Sequence, residues 1–369
     1  MQPLWEQVTI VGVGLIGGSL GMALRKKGLA KSVVGVDVKE KILDTAVEME
    51  AIDRGIVDLQ AGVAEADLVV LATPICTSVR ILTEIAPYLK KGCVVTDVGS
   101  TKNLIVETAA RIMPEETVFV GGHPMAGSEQ AGINGADLYL FENAVYILTV
   151  MPGTPEEPVQ KLKQTLNSIG ARVLEMNPVQ HDFLVAGISH LPHIVAAALV
   201  NTVGRLHKDY PDILGLAAGG FRDTTRIASG HPLMWRDICT TNKEQILEVL
   251  KIFKETLNEM EAMIDDCDEE GIEAEFNRAR EIRRGIPARM KGYLPVLYEI
   301  IIYVPDRPGV IAGIASLLGE AGINISDIEI MRVKEGEGGS IRLGFSSAED
   351  QEKALTLFRE NNIKAKIKL

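Results

Sequence analysis

Histidine is the side chain best suited to moving a proton near neutral pH, and one of the six histidines in this chain stands in a suggestive place. Residues Val118 to Glu129 read VFVGGHPMAGSE. The apolar start predicts a buried strand, and Gly121-Gly122 allows a sharp turn at its end. His123 is thereby delivered to the rim of a sheet, where ligands of open α/β sheets sit. The plain alternative is a loop histidine that only braces the turn. A second constellation, Gly12-x-Gly14-x-x-Gly17, lies between the apolar run Val8 to Val13 and a segment with helical spacing from Leu15 and Ile16 to Leu24. In that context the glycines suit a dinucleotide. Gly12 permits the tight turn, Gly14 the close approach of a pyrophosphate, and Gly17 the packing of helix on strand. Asp37 ends the next strand-like run, SVVGVD. A carboxylate there accepts hydrogen bonds from ribose hydroxyls and repels a 2′-phosphate, which predicts NAD rather than NADP. Lys39 and Lys41 act in the opposite sense, and a strand-end turn aspartate is the structural alternative.

Further candidates lie downstream. Thr73-Pro74 and Gly99-Ser100-Thr101 follow apolar runs and should line the same sheet edge as Gly14 and His123. Ser100 is then expected near the nicotinamide, or as an N-cap of the helix that begins near Lys102. His190 and His193 share a helix face. They provide no third ligand at zinc spacing, so one is expected to line the cleft and the other to pack. In GFRDTTRIA, Arg222 and Arg226 are one turn apart with Asp223 between them. A guanidinium steadied by a carboxylate can clamp a substrate carboxylate bidentately, whereas charges at this spacing more commonly form a solvated face. Trp235 follows in a turn leading to another helix, as core or as cleft wall.

These side chains require a scaffold, and the hydrophobic pattern supplies one. Alternating apolar runs and helical segments over residues 1–175, joined by short Gly- or Pro-containing turns, predict a doubly wound parallel sheet. Strands then stop. Residues 176–295 read as helices, with a long apolar segment from Val179 to Leu206 and two amphipathic helices near 235–265 and 269–290. An all-helical half with unpartnered apolar faces predicts a homodimer. Residues 296–369 read β-α-β-β-α-β, a ferredoxin-like unit suited to regulation, with dimer contact as the simpler alternative.

Composition limits the function classes. With 46% hydrophobic and 24% charged residues the chain reads as globular. A net charge of −12 argues against nucleic acid as a partner. It also means that an anionic substrate must be met by locally placed arginines. Cys76, Cys93, Cys239 and Cys267 form no CxxC pair, which points away from metal and toward a reducing compartment. The longest unbroken apolar stretch, Ile194 to Val200, is too short to span a bilayer. The expectation is a cytoplasmic protein with no membrane partner.

The GxGxxG, the VGST turn, GGHPMAGSE, SHLPH and GFRDTTRIA together resemble the prephenate dehydrogenases of tyrosine biosynthesis over about residues 6–290. The tail resembles an ACT domain through DRPGV and the GINI segment. The resemblance implies a Rossmann-type domain, a helical dimerisation domain, an ACT domain and NAD-dependent oxidative decarboxylation of prephenate. It places His123 at the substrate hydroxyl with Ser100 beside it, and Arg226 on a carboxylate. His193, Glu129 and Trp235 fall around the pocket. Gly12, Gly14, Leu15, Ile16, Gly17, Asp37, Thr73 and Pro74 fall at the cofactor. A base that takes the hydroxyl proton makes the hydride more transferable, and loss of the ring carboxylate leaves an aromatic phenol. Tyrosine, as end product, is the expected effector, either at the tail or in the active site. Arogenate is the alternative substrate. A β-hydroxyacid dehydrogenase would carry a lysine early in the helical half, and Val179 to Leu206 has none. A non-catalytic NAD and amino-acid sensor would have no use for His123, Ser100 and Arg226 together.

Overall fold

The computed structural model describes residues 2–127, 132–286, 298–305, 307–331 and 339–367. The chain divides into two units, residues 1–292 and 293–369. The larger begins with β1 (Trp5–Val11), α1 (Leu15–Lys26), β2 (Ala30–Val36), α2 (Glu40–Glu48), β3 (Arg54–Ile56), α3 (Leu59–Val63), β4 (Leu68–Leu71) and α4 (Ile75–Ile85). It continues with β5 (Val94–Asp97), α5 (Asn103–Ile112), β6 (Val118–Pro124), β7 (Val145–Thr149), α6 (Glu156–Ser168) and β8 (Arg172–Met176). The sheet order is β3-β2-β1-β4-β5-β6-β7-β8. Its winding reverses between β1 and β4, which opens a crevice at their C-terminal ends. Val8, Ile10, Val33, Leu68, Val70 and Val120 belong to one core, and Val69, Leu71, Val95 and Ile105 to another. Burial on both faces explains why these strands read as continuous apolar runs rather than as alternation.

Two details depart from the sequence pattern. The sheet is not parallel throughout: β6 and β7 pair antiparallel, with His123 opposite Ile147. Among the described residues no crossover α-helix lies between them, and β7 starts beside the end of β6. The stretch 40–63, for which the pattern assigns no elements, forms α2, β3 and α3.

The helical region comprises α7 (Pro178–Val185), α8 (Leu191–Leu206), α9 (Gly219–Thr225), α10 (Pro232–Thr241), α11 (Lys243–Asp265) and α12 (Glu269–Gly285). A π turn at Ala186–His190 joins α7 to α8. The resulting helical run, residues 178–206, is long and apolar enough to cross a membrane by length and composition, with a mean hydropathy of 1.9. Counting only unbroken apolar residues underestimated it, because isolated polar residues scarcely lower a window average. Those polar residues, His181, Asp182 and His190, are buried against protein partners that lipid could not replace. The expected single helix from Trp235 to Asp265 is broken at Asn242, which adopts φ −116° and ψ 33°.

The smaller unit contains β9 (Tyr298–Val304), α13 (Val310–Glu320), β10 (Asp327–Met331), β11 (Gly339–Phe345), α14 (Ala348–Glu360) and β12 (Lys364–Ile367). Its antiparallel sheet has the order β10-β11-β9-β12, the ferredoxin-like arrangement. Ile300, Ile302, Leu318, Leu343 and Phe358 form its own core. The Gly-rich turn expected at Glu335–Gly339 lies largely outside the described residues.

Candidate active site

The Gly-rich loop occupies the sheet's crevice. Gly12 has φ +94°, and a Cβ there would sit 2.6 Å from the Ala72 carbonyl oxygen. A Cβ on Gly17 would come within 2.2 Å of the Gly12 carbonyl oxygen. Both positions therefore exclude larger residues for reasons internal to the fold. Gly14 differs: a Cβ there would meet no protein atom within 4 Å. It forms the N-cap of α1 without a side-chain cap, so the helix terminus faces open space with its N–H groups and positive dipole end. This cradle fits a dinucleotide pyrophosphate. Asp37 stands beside it, its carboxylate accepting from Val13 N (3.3 Å) and Lys39 N (3.1 Å). Thr73 and Pro74 adjoin the same loop, with the Thr73 and Ser78 hydroxyls 2.8 Å apart.

A cleft of about 770 Å³ runs from this crevice to the helical region. Leu15 and Ile16 line it from the cofactor side, and Ser100, His123 and Met125 from the sheet edge. His193, Arg226, His231 and Trp235 line it from the helices. Ser100, His123, His193, Arg226 and Trp235, distant in sequence, thus share one cavity. Ser100 does not cap α5, whose N-cap position is Lys102. Glu129 lies outside the described residues. The His193 ring stacks on Trp235, with centroids 4.0 Å apart, and its Nδ1 donates to the Ser189 carbonyl (2.9 Å). The buried Trp235 indole N–H has no hydrogen-bond partner among the described residues.

His123 is 9% exposed. Burial, with His181, the Lys102 cation and His190 nearby, pushes its titration well below the ordinary histidine range. At neutral pH it is therefore unprotonated and competent as a base. Its Nδ1 lies 2.8 Å from His181 Nε2, and His181 Nδ1 lies 2.7 Å from Asp182 Oδ1. Asp182 also accepts from the backbone N–H groups of Lys102 (2.7 Å) and Asn103 (2.8 Å), so a residue of α7 caps α5. Beneath the histidine, the buried Lys102 ammonium pairs with Asp97 and donates to the Gly122 carbonyl oxygen (2.8 Å). Asp97 in turn accepts from Gly122 N (3.0 Å) and Gly99 N (2.8 Å). Burial lowers the Lys102 titration, and Asp97 acts against that shift. Asn242, at the α10–α11 break, donates to the Asp182 carbonyl (2.8 Å) and to His190 Nδ1 (3.1 Å).

Sequence reasoning missed Asp97, Lys102, His181, Asp182, Ser189 and Asn242. Only one signal was available for them: charged or amide residues embedded in apolar helical or strand-end segments, which must find buried partners. It could not say which partners.

The chain is similar to known proteins along most of its length. Family models described as the prephenate dehydrogenase nucleotide-binding domain, the prephenate dehydrogenase dimerization domain and the ACT domain match residues 20–175, 177–278 and 298–360. The chain is 38% identical to the prephenate dehydrogenase of Bacillus subtilis over 355 residues, covering 96% of each protein. The structure of Aquifex aeolicus prephenate dehydrogenase in complex with hydroxyphenyl propionate and NAD+ is similar, with a TM-score of 0.72 and 33% identity. That likeness covers 78% of this chain and 99% of the other. Synechocystis arogenate dehydrogenase is also similar, with a TM-score of 0.66 and 31% identity over 76% of this chain and all of that one. The chain therefore belongs to the prephenate dehydrogenase family, with a Rossmann-type domain, a helical dimerisation region and an ACT domain.

Proposed function

We propose that this protein catalyses the NAD-dependent oxidative decarboxylation of prephenate to 4-hydroxyphenylpyruvate and CO₂. The observation that carries this reading is a buried His123 opening onto the same cleft as the head of α1. Gly12, Gly14, Leu15, Ile16, Gly17, Thr73 and Pro74 would hold the dinucleotide, and Asp37 its adenosine ribose. Bound NAD supplies the hydride acceptor. His123 takes the proton of the substrate hydroxyl as the carbonyl forms, and Ser100 holds the same oxygen. Arg226 binds a substrate carboxylate, while His193 Nε2 offers an acceptor and the unpartnered Trp235 N–H a donor. Glu129 completes the proposed substrate set. The protein's contribution is orientation and proton acceptance.

The likeness to Synechocystis arogenate dehydrogenase supports a second reading, with arogenate as substrate. Arogenate carries an ammonium group. The 38% identity to the Bacillus subtilis prephenate dehydrogenase, over 96% of each protein, favours prephenate.

The domain limits are placed at 1–175, 176–295 and 296–369. A homodimer is supported by the dimerisation-domain match and by exposed Val179, Ile188, Leu247 and Ile252 on the helical region. Tyrosine is the proposed effector, through the ACT domain. A cytoplasmic location is in keeping with the likeness to the prephenate dehydrogenase of Bacillus subtilis. The test is NADH formation by the purified chain with prephenate, using NAD or NADP, with and without tyrosine. Turnover with NAD and little with NADP is expected, suppressed by tyrosine. Loss of that suppression on removing residues 296–369 would assign it to the tail. Reduction with arogenate and none with prephenate would reverse the substrate assignment.

A further inference from the structure

We propose that His181 and Asp182 are positioning residues that hold His123 in its Nδ1-protonated tautomer, so that the bare Nε2 faces the substrate. The inference rests on the proposed chemistry at His123 but follows from a hydrogen-bond chain that is itself independent of substrate. Asp182 receives two backbone N–H groups, from Lys102 (2.7 Å) and Asn103 (2.8 Å), which can only donate. Its carboxylate is thus an acceptor toward His181 Nδ1 at 2.7 Å, which places the His181 proton on Nδ1. With one proton on each ring, His181 Nε2 is then a lone-pair acceptor. His123 Nδ1, 2.8 Å away, must donate to it. The other nitrogen of His123 is left bare on the cleft side.

The chain is rigidly built. His181 and Asp182 are fully buried, and Asn242 pins the Asp182 backbone carbonyl at 2.8 Å. Among the described residues, the charged and titratable groups of this network are His181 and Asp182 from α7, Asp97 at the end of β5, Lys102 before α5, and His190 from the π turn. Burial, with the Lys102 cation and His190, disfavours a proton on His123 in the resting site. The Asp182 charge, one ring away, supports the imidazolium once it forms. In the step itself the substrate O–H bond breaks, its electron pair becomes the carbonyl π bond as hydride leaves the same carbon for NAD, and the proton passes to His123 Nε2. The Nδ1–H bond of His123 stays intact, so no proton crosses to His181. Neither His181 nor Asp182 needs to touch the substrate.

The experiment compares the full-length chain with His181→Phe and His181→Gln. A glutamine can donate its amide to Asp182 and accept from His123 Nδ1; a phenylalanine fills the space and does neither. In ¹⁵N spectra of histidine-labelled protein at neutral pH, His123 is expected to be protonated on Nδ1 in the wild type and in His181→Gln, and on Nε2 in His181→Phe. Turnover should fall about 10²-fold or more in His181→Phe, the scale of lost general-base action, with KM values for prephenate and NAD within about threefold. His181→Gln should recover at least about tenfold of that loss. A wild-type His123 protonated on Nε2 overturns the proposal, as do equal activities of the two variants. Should His181→Phe fail to fold, the wild-type and His181→Gln spectra still decide. A wild type that leaves prephenate untouched would defeat the functional reading alone, because the ring-nitrogen spectrum tests the relay without turnover.

Discussion

The proposed role of His123 as a base rests on surroundings that keep protons off it until a substrate supplies one. A histidine on an exposed loop would be partly protonated near its ordinary titration range. Here burial, the Lys102 cation and His190 disfavour the imidazolium. Replacing His123 with Asn should lower kcat about 10²-fold or more, the usual scale for losing a general base, with a smaller effect on KM. Wild-type turnover in that variant would remove His123 from the chemistry. The role proposed for Arg226 is in binding rather than in bond-making. Arg226→Gln should chiefly raise the KM for prephenate, because the carboxylate it clamps is present in ground and transition states alike. An unchanged KM would rule out the clamp.

The placement of these side chains depends on contacts between elements. β6 delivers His123, but Gly121 and Gly122 must run close to β5 and β7 to do so. A Cβ on Gly122 would lie 2.5 Å from the Asp97 carbonyl oxygen and 3.0 Å from Tyr146. The Asp97–Lys102 pair then ties the end of β5 to Gly122, and Asp182 of α7 caps α5. The π turn between α7 and α8 brings Ser189, His190 and His193 to the same cleft, a use to which such turns are often put. Removing one member of a fully buried ion pair leaves an uncompensated charge. Lys102→Met should therefore destabilise the fold by about 3–5 kcal/mol, read as a shift in the denaturant midpoint. It should also impair turnover by loosening Gly122. A variant as stable as the wild type would show that Asp97 takes up a proton or a new partner at little cost.

At the scale of the whole molecule, a net charge of −12 repels an anionic substrate, so recognition falls to the local cations and donors of the cleft. The same buried histidines link stability to pH. Burial pushes the His190 titration down to about 4, and that of His123 also lies below the ordinary value. Below about pH 6.5 the unfolded chain binds protons on these rings that the folded chain refuses. Stability should therefore fall as pH drops from that point, with the contribution of His190 complete once pH passes its folded value near 4. His190→Gln keeps an acceptor for Asn242 and cannot titrate. It should lose less melting temperature between pH 7 and pH 4 than the wild type. Parallel curves would show that other groups control acid unfolding. The ACT unit has its own hydrophobic core, so removing residues 296–369 should leave the dehydrogenase unit folded and active.

Local rules were enough for much of this. The strand-to-helix Gly loop, the acid at the end of β2, the apolar run that leads to His123 and the β-α-β-β-α-β tail are each written in short stretches whose backbone needs are local. The turn expected at Gly121-Gly122 does not form: β6 runs through both glycines to Pro124, because β7 returns alongside and pairs with them. Sheet topology then brings distant strand ends to one edge, which is why Ser100, His123 and the Gly loop could be grouped in advance. What the tertiary structure decided was everything that depends on which buried polar group meets which. Asp182 read as an ordinary helix residue until its carboxylate met the start of α5. Lys102 read as the first residue of a helix until it was buried against Asp97. Asn242 read as the interior of a long helix until its amide reached Asp182 and His190. The antiparallel turn of β7 likewise followed from where the chain returned, not from its apolar pattern. Apolar periodicity records that a face is buried, whereas a hydrogen bond between residues far apart in sequence leaves no periodic trace. The residues that present His123 as a base belong to that second kind.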